Sequence, residues 1–69
     1  INIYPNPASE YLIIESNKEE LYGIYDLKGK LIFKDNITVP KTKVNVAAMP
    51  KGIYIIKVGE LSLKWVKND

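Results

Sequence analysis

The 69-residue chain contains no cysteine, no histidine and no arginine. Without cysteine there is no disulfide, no thiol nucleophile and no thiolate zinc site. Without histidine the usual proton shuttle at neutral pH is missing. Without arginine the bidentate donor that reads base edges is missing, which argues against a nucleic-acid partner. These absences exclude most catalytic templates and leave no basis for a cofactor or a metal site.

Long hydrophobic runs are also missing. The longest apolar stretch, around residues 53–56, is far shorter than the ~20 residues that a membrane-spanning helix needs. The N-terminus has no signal-peptide pattern, and it begins at Ile1 without an initiator methionine. We therefore expect no membrane span, and we expect the chain to be cut from a longer polypeptide.

The residues that are present are those of a folded domain. Hydrophobic residues make up 46% of the chain and charged residues 26%, with a net charge of +2. These are globular values rather than those of a disordered chain. Because a chain this small has room for one compact core, residues 1–69 are predicted to form a single domain.

Short runs rich in β-branched and aromatic residues alternate with turn residues along the whole chain. This spacing predicts an all-β fold, typical of a sandwich, with seven strands at Asn2–Tyr4, Tyr11–Glu15, Tyr22–Tyr25, Leu31–Lys34, Lys43–Val46, Ile53–Val58 and Leu61–Lys67. Apolar residues on both faces of Ile53–Val58 indicate a central strand. Leu61–Lys67 is amphipathic and basic.

Four segments carry specific local expectations. Pro5, Asn6 and Pro7 end the first strand and favour a rigid segment that protects a sheet edge, because proline fixes φ and removes a backbone donor. Asp26 and Gly29 suit a type I hairpin turn with a left-handed glycine. Further expectations are a positive φ or a close backbone approach at Gly52, and a buried Tyr54 ring with a bonded hydroxyl.

Three segments together resemble the C-terminal sorting domains of the type IX (Por) secretion system of Bacteroidetes: Tyr4–Ala8 (YPNPA), Ile24–Leu31 (IYDLKGKL) and Met49–Val58 (MPKGIYIIKV). They stand in the family's order and spacing, and the chain ends with a short lysine-containing strand, as family members do. The tail Lys67-Asn68-Asp69 departs from members that end on apolar residues or lysine. The resemblance implies an immunoglobulin-like antiparallel β-sandwich of seven strands.

The resemblance also implies a function. Such a domain is a non-catalytic secretion signal at the C-terminus of a cargo protein, which the outer-membrane translocon recognises after the cargo has reached the periplasm. A sortase-like peptidase usually removes the domain, and the cargo stays at the cell surface or is released outside the cell. The expected partners are therefore the translocon, the peptidase and an unknown cargo.

The last strand provides the candidate recognition residues, Lys64, Trp65 and Lys67. An exposed edge strand can pair with a receptor by β-augmentation while its lysines meet acidic groups. The alternative is a solvated edge whose lysines prevent aggregation, and an unprotected edge also allows self-association.

Two other functions remain open at this point. An accessory adhesion or carbohydrate-binding module would use exposed aromatic rings, for which Tyr4, Tyr11, Tyr22 and Trp65 are the candidates. A spacer domain is the third option. An enzyme is not expected, because Glu19-Glu20 is typical of a solvated charge run and Asp26 is explained by its hairpin.

Overall fold

A computed structural model describes residues 1–68, which form seven strands and no helix. The strands are β1 (Asn2–Tyr4), β2 (Tyr11–Glu15), β3 (Leu21–Tyr25), β4 (Leu31–Asn36), β5 (Lys41–Asn45), β6 (Gly52–Val58) and β7 (Leu61–Lys67). The all-β prediction is confirmed. The largest differences are that β4 extends to Asn36 and that β5 begins at Lys41 rather than Lys43.

The strands form two antiparallel sheets. One has the order β1-β2-β5 and the other the order β4-β3-β6-β7. The chain crosses from one sheet to the other between β2 and β3, between β4 and β5, and between β5 and β6. This is the strand order of an immunoglobulin-like sandwich in which the fourth strand lies beside the third, as the resemblance implies.

The core lies between the sheets and combines alternate residues of the strands, as a period of two requires, with Ala8, Ile37 and Val46 from the connecting segments. It comprises Ala8, Leu12, Ile14, Tyr22, Ile24, Ile37, Val44, Val46, Tyr54, Ile56, Val58 and Trp65. β6 lies between β3 and β7, which confirms its prediction as a central strand. Within residues 1–68 no helix is long and apolar enough to cross a membrane.

A stacked aromatic pair in the core joins β6 to β7. Tyr54 and Trp65 are register partners, and their rings stack with centroids 5.2 Å apart and an interplanar angle of 28°. The Tyr54 hydroxyl donates a hydrogen bond to the carbonyl oxygen of Pro50. Gly52 begins the strand with a φ of 157°, a conformation that side-chain-bearing residues rarely adopt.

The β3–β4 hairpin is held by its first turn residue. The Asp26 carboxylate accepts hydrogen bonds from the backbone N–H groups of Lys28 and Lys30, each at 2.9 Å. Gly29 has a φ of 85° and donates its N–H to the Asp26 carbonyl oxygen. The register then skips one residue of β4, so that Ile32 forms a bulge near the turn.

We predict that Tyr54→Ala lowers the free energy of unfolding by roughly 3–5 kcal/mol, because it removes a buried ring and its stack on Trp65. Tyr54→Phe is the matched control, since it keeps the ring and loses only the bond to Pro50, at a cost of about 1 kcal/mol. Urea denaturation of both variants measures the difference. Equal losses in the two variants would show that the ring contributes nothing beyond its hydroxyl.

A second prediction concerns alkaline stability. Burial, followed by the charge of Asp35, raises the pKa of Tyr22 to about 12. Its usual value is about 10, so the unfolded chain loses this proton at a lower pH than the folded domain does. The contribution of Tyr22 is therefore complete below pH ~10 and is lost as the pH rises towards ~12.

We expect the wild type to lose about 2–3 kcal/mol more than Tyr22→Phe over that interval. The comparison removes the effect of lysine titration, which both proteins share. Urea denaturation at several pH values between 9 and 12 measures it. Parallel losses in the two proteins would contradict the raised pKa.

Candidate recognition site

The terminal strand β7 does not expose all three of its candidate recognition residues. Lys64 is exposed, whereas Trp65 and Lys67 are 0% and 1% exposed. The exposure expected for these two residues is therefore wrong. The reason is the period of two: Trp65 and Lys67 share the inner face of the strand, and Lys64 lies on the opposite face.

Trp65 is part of the core rather than of a binding surface. Its ring packs against Tyr54, and its indole N–H has no hydrogen-bond partner among residues 1–68. Because tryptophan supplies a large apolar area, its burial at the edge strand ties that strand to the rest of the sheet.

Lys67 is buried at the end of the same strand. Its backbone pairs with Gly52 on one side and forms a parallel bridge to Ala8 on the other. The ammonium donates a hydrogen bond to the carbonyl oxygen of Asn68 at 3.4 Å, and because only 1% of the residue is exposed, the ammonium is covered together with the aliphatic stem.

The segment Pro5–Ala8 covers the C-terminal half of the β7 edge. The Asn6 side-chain oxygen accepts a hydrogen bond of 2.9 Å from the N–H of Val66, and Ala8 N–H donates to the Val66 carbonyl at 2.8 Å. Asn68 N–H in turn donates to the Ala8 carbonyl at 2.7 Å. The proline-rich segment thus satisfies the backbone of a strand about 60 residues away in sequence.

The N-terminal half of the same edge is open. In an antiparallel pair, alternate residues turn both backbone groups away from the partner strand, and Val66 is one of these. By the same alternation the N–H and C=O groups of Ser62 and Lys64 also face outward. No group of the described chain forms a hydrogen bond with them. This open half-edge, Ser62–Lys64, is a template for pairing with another strand.

Two of the four candidate rings for carbohydrate binding are exposed. Tyr4 and Tyr11 lie on the outer face of the β1-β2-β5 sheet and line a shallow depression, with the ammonium of Lys43 4.8 Å from the centroid of the Tyr11 ring. Tyr22 and Trp65 are buried, so the expectation of exposed rings at those positions is wrong. Both lie on the inner face of their sheet.

The surface can contact a partner through backbone pairing, through charge and through apolar side chains. Across residues 1–68 there is no cluster of three or more His, Cys, Asp or Glu side chains suited to holding a metal ion. No sequence pattern around Asn6 predicts that its side chain covers the edge of β7. Two flanking prolines indicate a protected edge, but local spacing does not reveal which strand is covered.

Comparison with known proteins gives a consistent picture. The sequence model of the family described as "Secretion system C-terminal sorting domain" matches residues 2–68. The chain is also 28% identical over 68 residues to Beta-agarase D of Zobellia galactanivorans. That match covers 99% of this chain and 14% of the relative, so the chain spans a small part of that protein. No solved structure matches the chain significantly.

We predict that Asn6→Ala lowers the free energy of unfolding by about 1 kcal/mol, because Val66 N–H loses its acceptor. Asn17→Ala is the matched control, since Asn17 is exposed in a turn and its side chain forms no hydrogen bond among the described residues. Urea denaturation measures both. If the two variants lose the same stability, the Asn6 contact does not hold the edge.

Proposed function

The chain belongs to the family of C-terminal sorting domains of the type IX secretion system, and from this premise we propose how it directs its cargo. A sorting domain of this system takes a protein across the outer membrane to the cell surface or the extracellular space. We propose that it does so by binding the outer-membrane translocon, and that strand β7 is the element that the translocon recognises. The observation that carries the proposal is the open half-edge Ser62–Lys64 within a chain that matches the family over residues 2–68.

The translocon contact is proposed to be β-augmentation at this half-edge. Lys64 is the direct contact among the three candidate residues, because its side chain is exposed and its backbone groups face outward. Trp65 and Lys67 act through the fold by holding β7 in place. The same half-edge is where two copies of the domain would self-associate.

The domain is proposed to follow a cargo and to be its last domain. In support, the matched segment is only 14% of Beta-agarase D, so a similar domain accompanies a much larger remainder in that protein. Cleavage by a sortase-like peptidase is proposed to occur in the linker before β1, which leaves the sandwich intact.

A second candidate function rests on the exposed pair Tyr4 and Tyr11. Two aromatic rings beside Lys43 are a platform on which a sugar ring can stack, as in an accessory carbohydrate-binding module. Binding of a soluble glycan by the isolated domain, lost in Tyr4→Ala with Tyr11→Ala, would favour this function.

We predict that residues 1–69, fused to the C-terminus of a reporter exported to the periplasm, carry the reporter outside the outer membrane of a Bacteroidetes host. The same fusion should stay in the periplasm of a strain that lacks the translocon. Immunoblotting of the medium and the cell surface measures export. Equal retention in the two strains, with the domain folded, would contradict the sorting function.

The proposed pairing is tested by Ser62→Pro. Proline removes the outward N–H and is tolerated at an edge whose N–H faces solvent, so the domain should fold but lose export. Ser62→Ala is the matched control, since it keeps the N–H and should be exported normally. Thermal melting verifies that both variants are folded. Normal export of a folded Ser62→Pro variant would rule out pairing at this edge.

A further inference from the structure

The outer face of the β4-β3-β6-β7 sheet combines exposed apolar side chains with lysines. Strand register places its residues in rows across the sheet. The middle row consists of Leu31, Tyr25, Ile55 and Lys64. The row on one side of it consists of Ile53 and Val66. The row on the other side consists of Lys34, Gly23, Lys57 and Ser62. Apolar rows and a lysine row therefore lie side by side.

The apolar rows are open to solvent. Leu31 is 43% exposed, Ile53 42% and Val66 37%, although each lies within a strand. Leu21 extends the same face and is 56% exposed. Contiguous apolar patches of this kind on small soluble domains mark contact sites more often than scattered single residues do.

One part of this face is flattened by a glycine. A Cβ at Gly23 would stand 3.0 Å from Cε1 of Tyr25 and 3.3 Å from Cδ1 of Leu31, so the missing side chain lets both residues lie against the sheet. The ammonium of Lys57 is 4.8 Å from the centroid of the Tyr25 ring. The result is a flat aromatic and aliphatic surface with a cation fixed over it.

The charges on this face are predominantly positive. Lys34, Lys57 and Lys64 point outward, and none of the outward-facing residues of these four strands is acidic. In the described part of the chain the one ion pair, Lys41–Glu15, lies on the other sheet. Glu20, which precedes β3, is the acidic side chain at the border of the face: it lines one depression with Lys34 and Lys57, and a Cβ at Gly59 would stand 2.6 Å from its Oε1.

We propose that this face is the docking surface for a protein of the export machinery whose contact surface is acidic around an apolar centre. The inference rests on the proposed sorting function and names the surface that the partner recognises. Three lysines that form no ion pair among the described residues, with one carboxylate at their border, call for further carboxylates, and the apolar rows call for a partner with apolar side chains. The open half-edge Ser62–Lys64 borders the face and offers backbone pairing, which a polypeptide can use and a polyanion cannot.

The test uses the exported reporter fused to residues 1–69. Lys34→Glu and Lys57→Glu are combined in a face variant, which leaves the Lys64 contact of the open half-edge unchanged. The control combines Lys18→Glu and Lys28→Glu, which are exposed lysines of the turns and change the net charge equally. We expect export of the face variant to fall by about tenfold or more, since like charges then oppose each other, while the control is exported like the wild type.

A second variant tests the apolar rows. Ile53→Thr with Val66→Thr keeps two β-branched residues in their strands and replaces exposed methyl groups with hydroxyls. We expect export to fall again, with a melting temperature close to that of the wild type. Normal export of this variant, beside loss in the lysine variant, would overturn the protein partner in favour of a polyanion such as a lipid headgroup or an acidic polysaccharide.

The remaining outcomes are distinct. If the face variant is folded and exported like the wild type, the docking surface is wrong while the sorting function stands. If the control loses export as much as the face variant, export depends on the net charge of the domain rather than on this face, and the inference is wrong. If the wild-type fusion itself shows no translocon-dependent export, the sorting function fails and this inference fails with it.

Discussion

Strand β7 lies at the edge of its sheet, and the rest of the structure depends on how that edge is closed. A sandwich of this size has four edge strands, and each exposes backbone groups that invite pairing. The segment Pro5–Ala8 covers half of the β7 edge, because Asn6 and Ala8 form hydrogen bonds with its backbone groups. The contact joins the two ends of the chain, so it also holds the last strand over the core.

The burial of Lys67 and Trp65 is consistent with this closure. Trp65 packs in the core against Tyr54, and Lys67 lies between Gly52 and Ala8 with its ammonium bonded to the carbonyl oxygen of Asn68. In a domain with so small a core, one lost aromatic contact is a large share of the total stability. The strand that a receptor is proposed to recognise is thus also a strand that the fold requires. The two roles belong to different halves of β7: the closed half stabilises the sandwich, and the open half is available for pairing.

Much of the fold could be predicted from local pattern. The strands, the Asp26–Gly29 turn and the buried Tyr54 all follow from alternation, turn chemistry and side-chain type. The burial of Lys67 could also have been predicted, because Lys67 stands two residues after Trp65 and must share its face of the strand. The general preference of lysine for solvent led to the opposite expectation. Tyr22 was misplaced for a similar reason, since a tyrosine in a strand suits either face.

The pairing of Asn6 and Ala8 with β7 could not be predicted, because it joins residues about 60 positions apart and depends on how the two sheets are placed against each other. The lysine and apolar rows of the outer face likewise appear only when four strands are placed in register.

The most direct test of this account is native-state amide hydrogen exchange along β7, followed by NMR. The account predicts rapid exchange at Ser62 and Lys64, whose N–H groups face solvent. It predicts slow exchange at Val66, which donates to Asn6, and at the neighbouring amides paired with β6. Protection of Lys64 equal to that of Val66, or exchange of Val66 as fast as that of Lys64, would contradict the division of this strand into a closed and an open half.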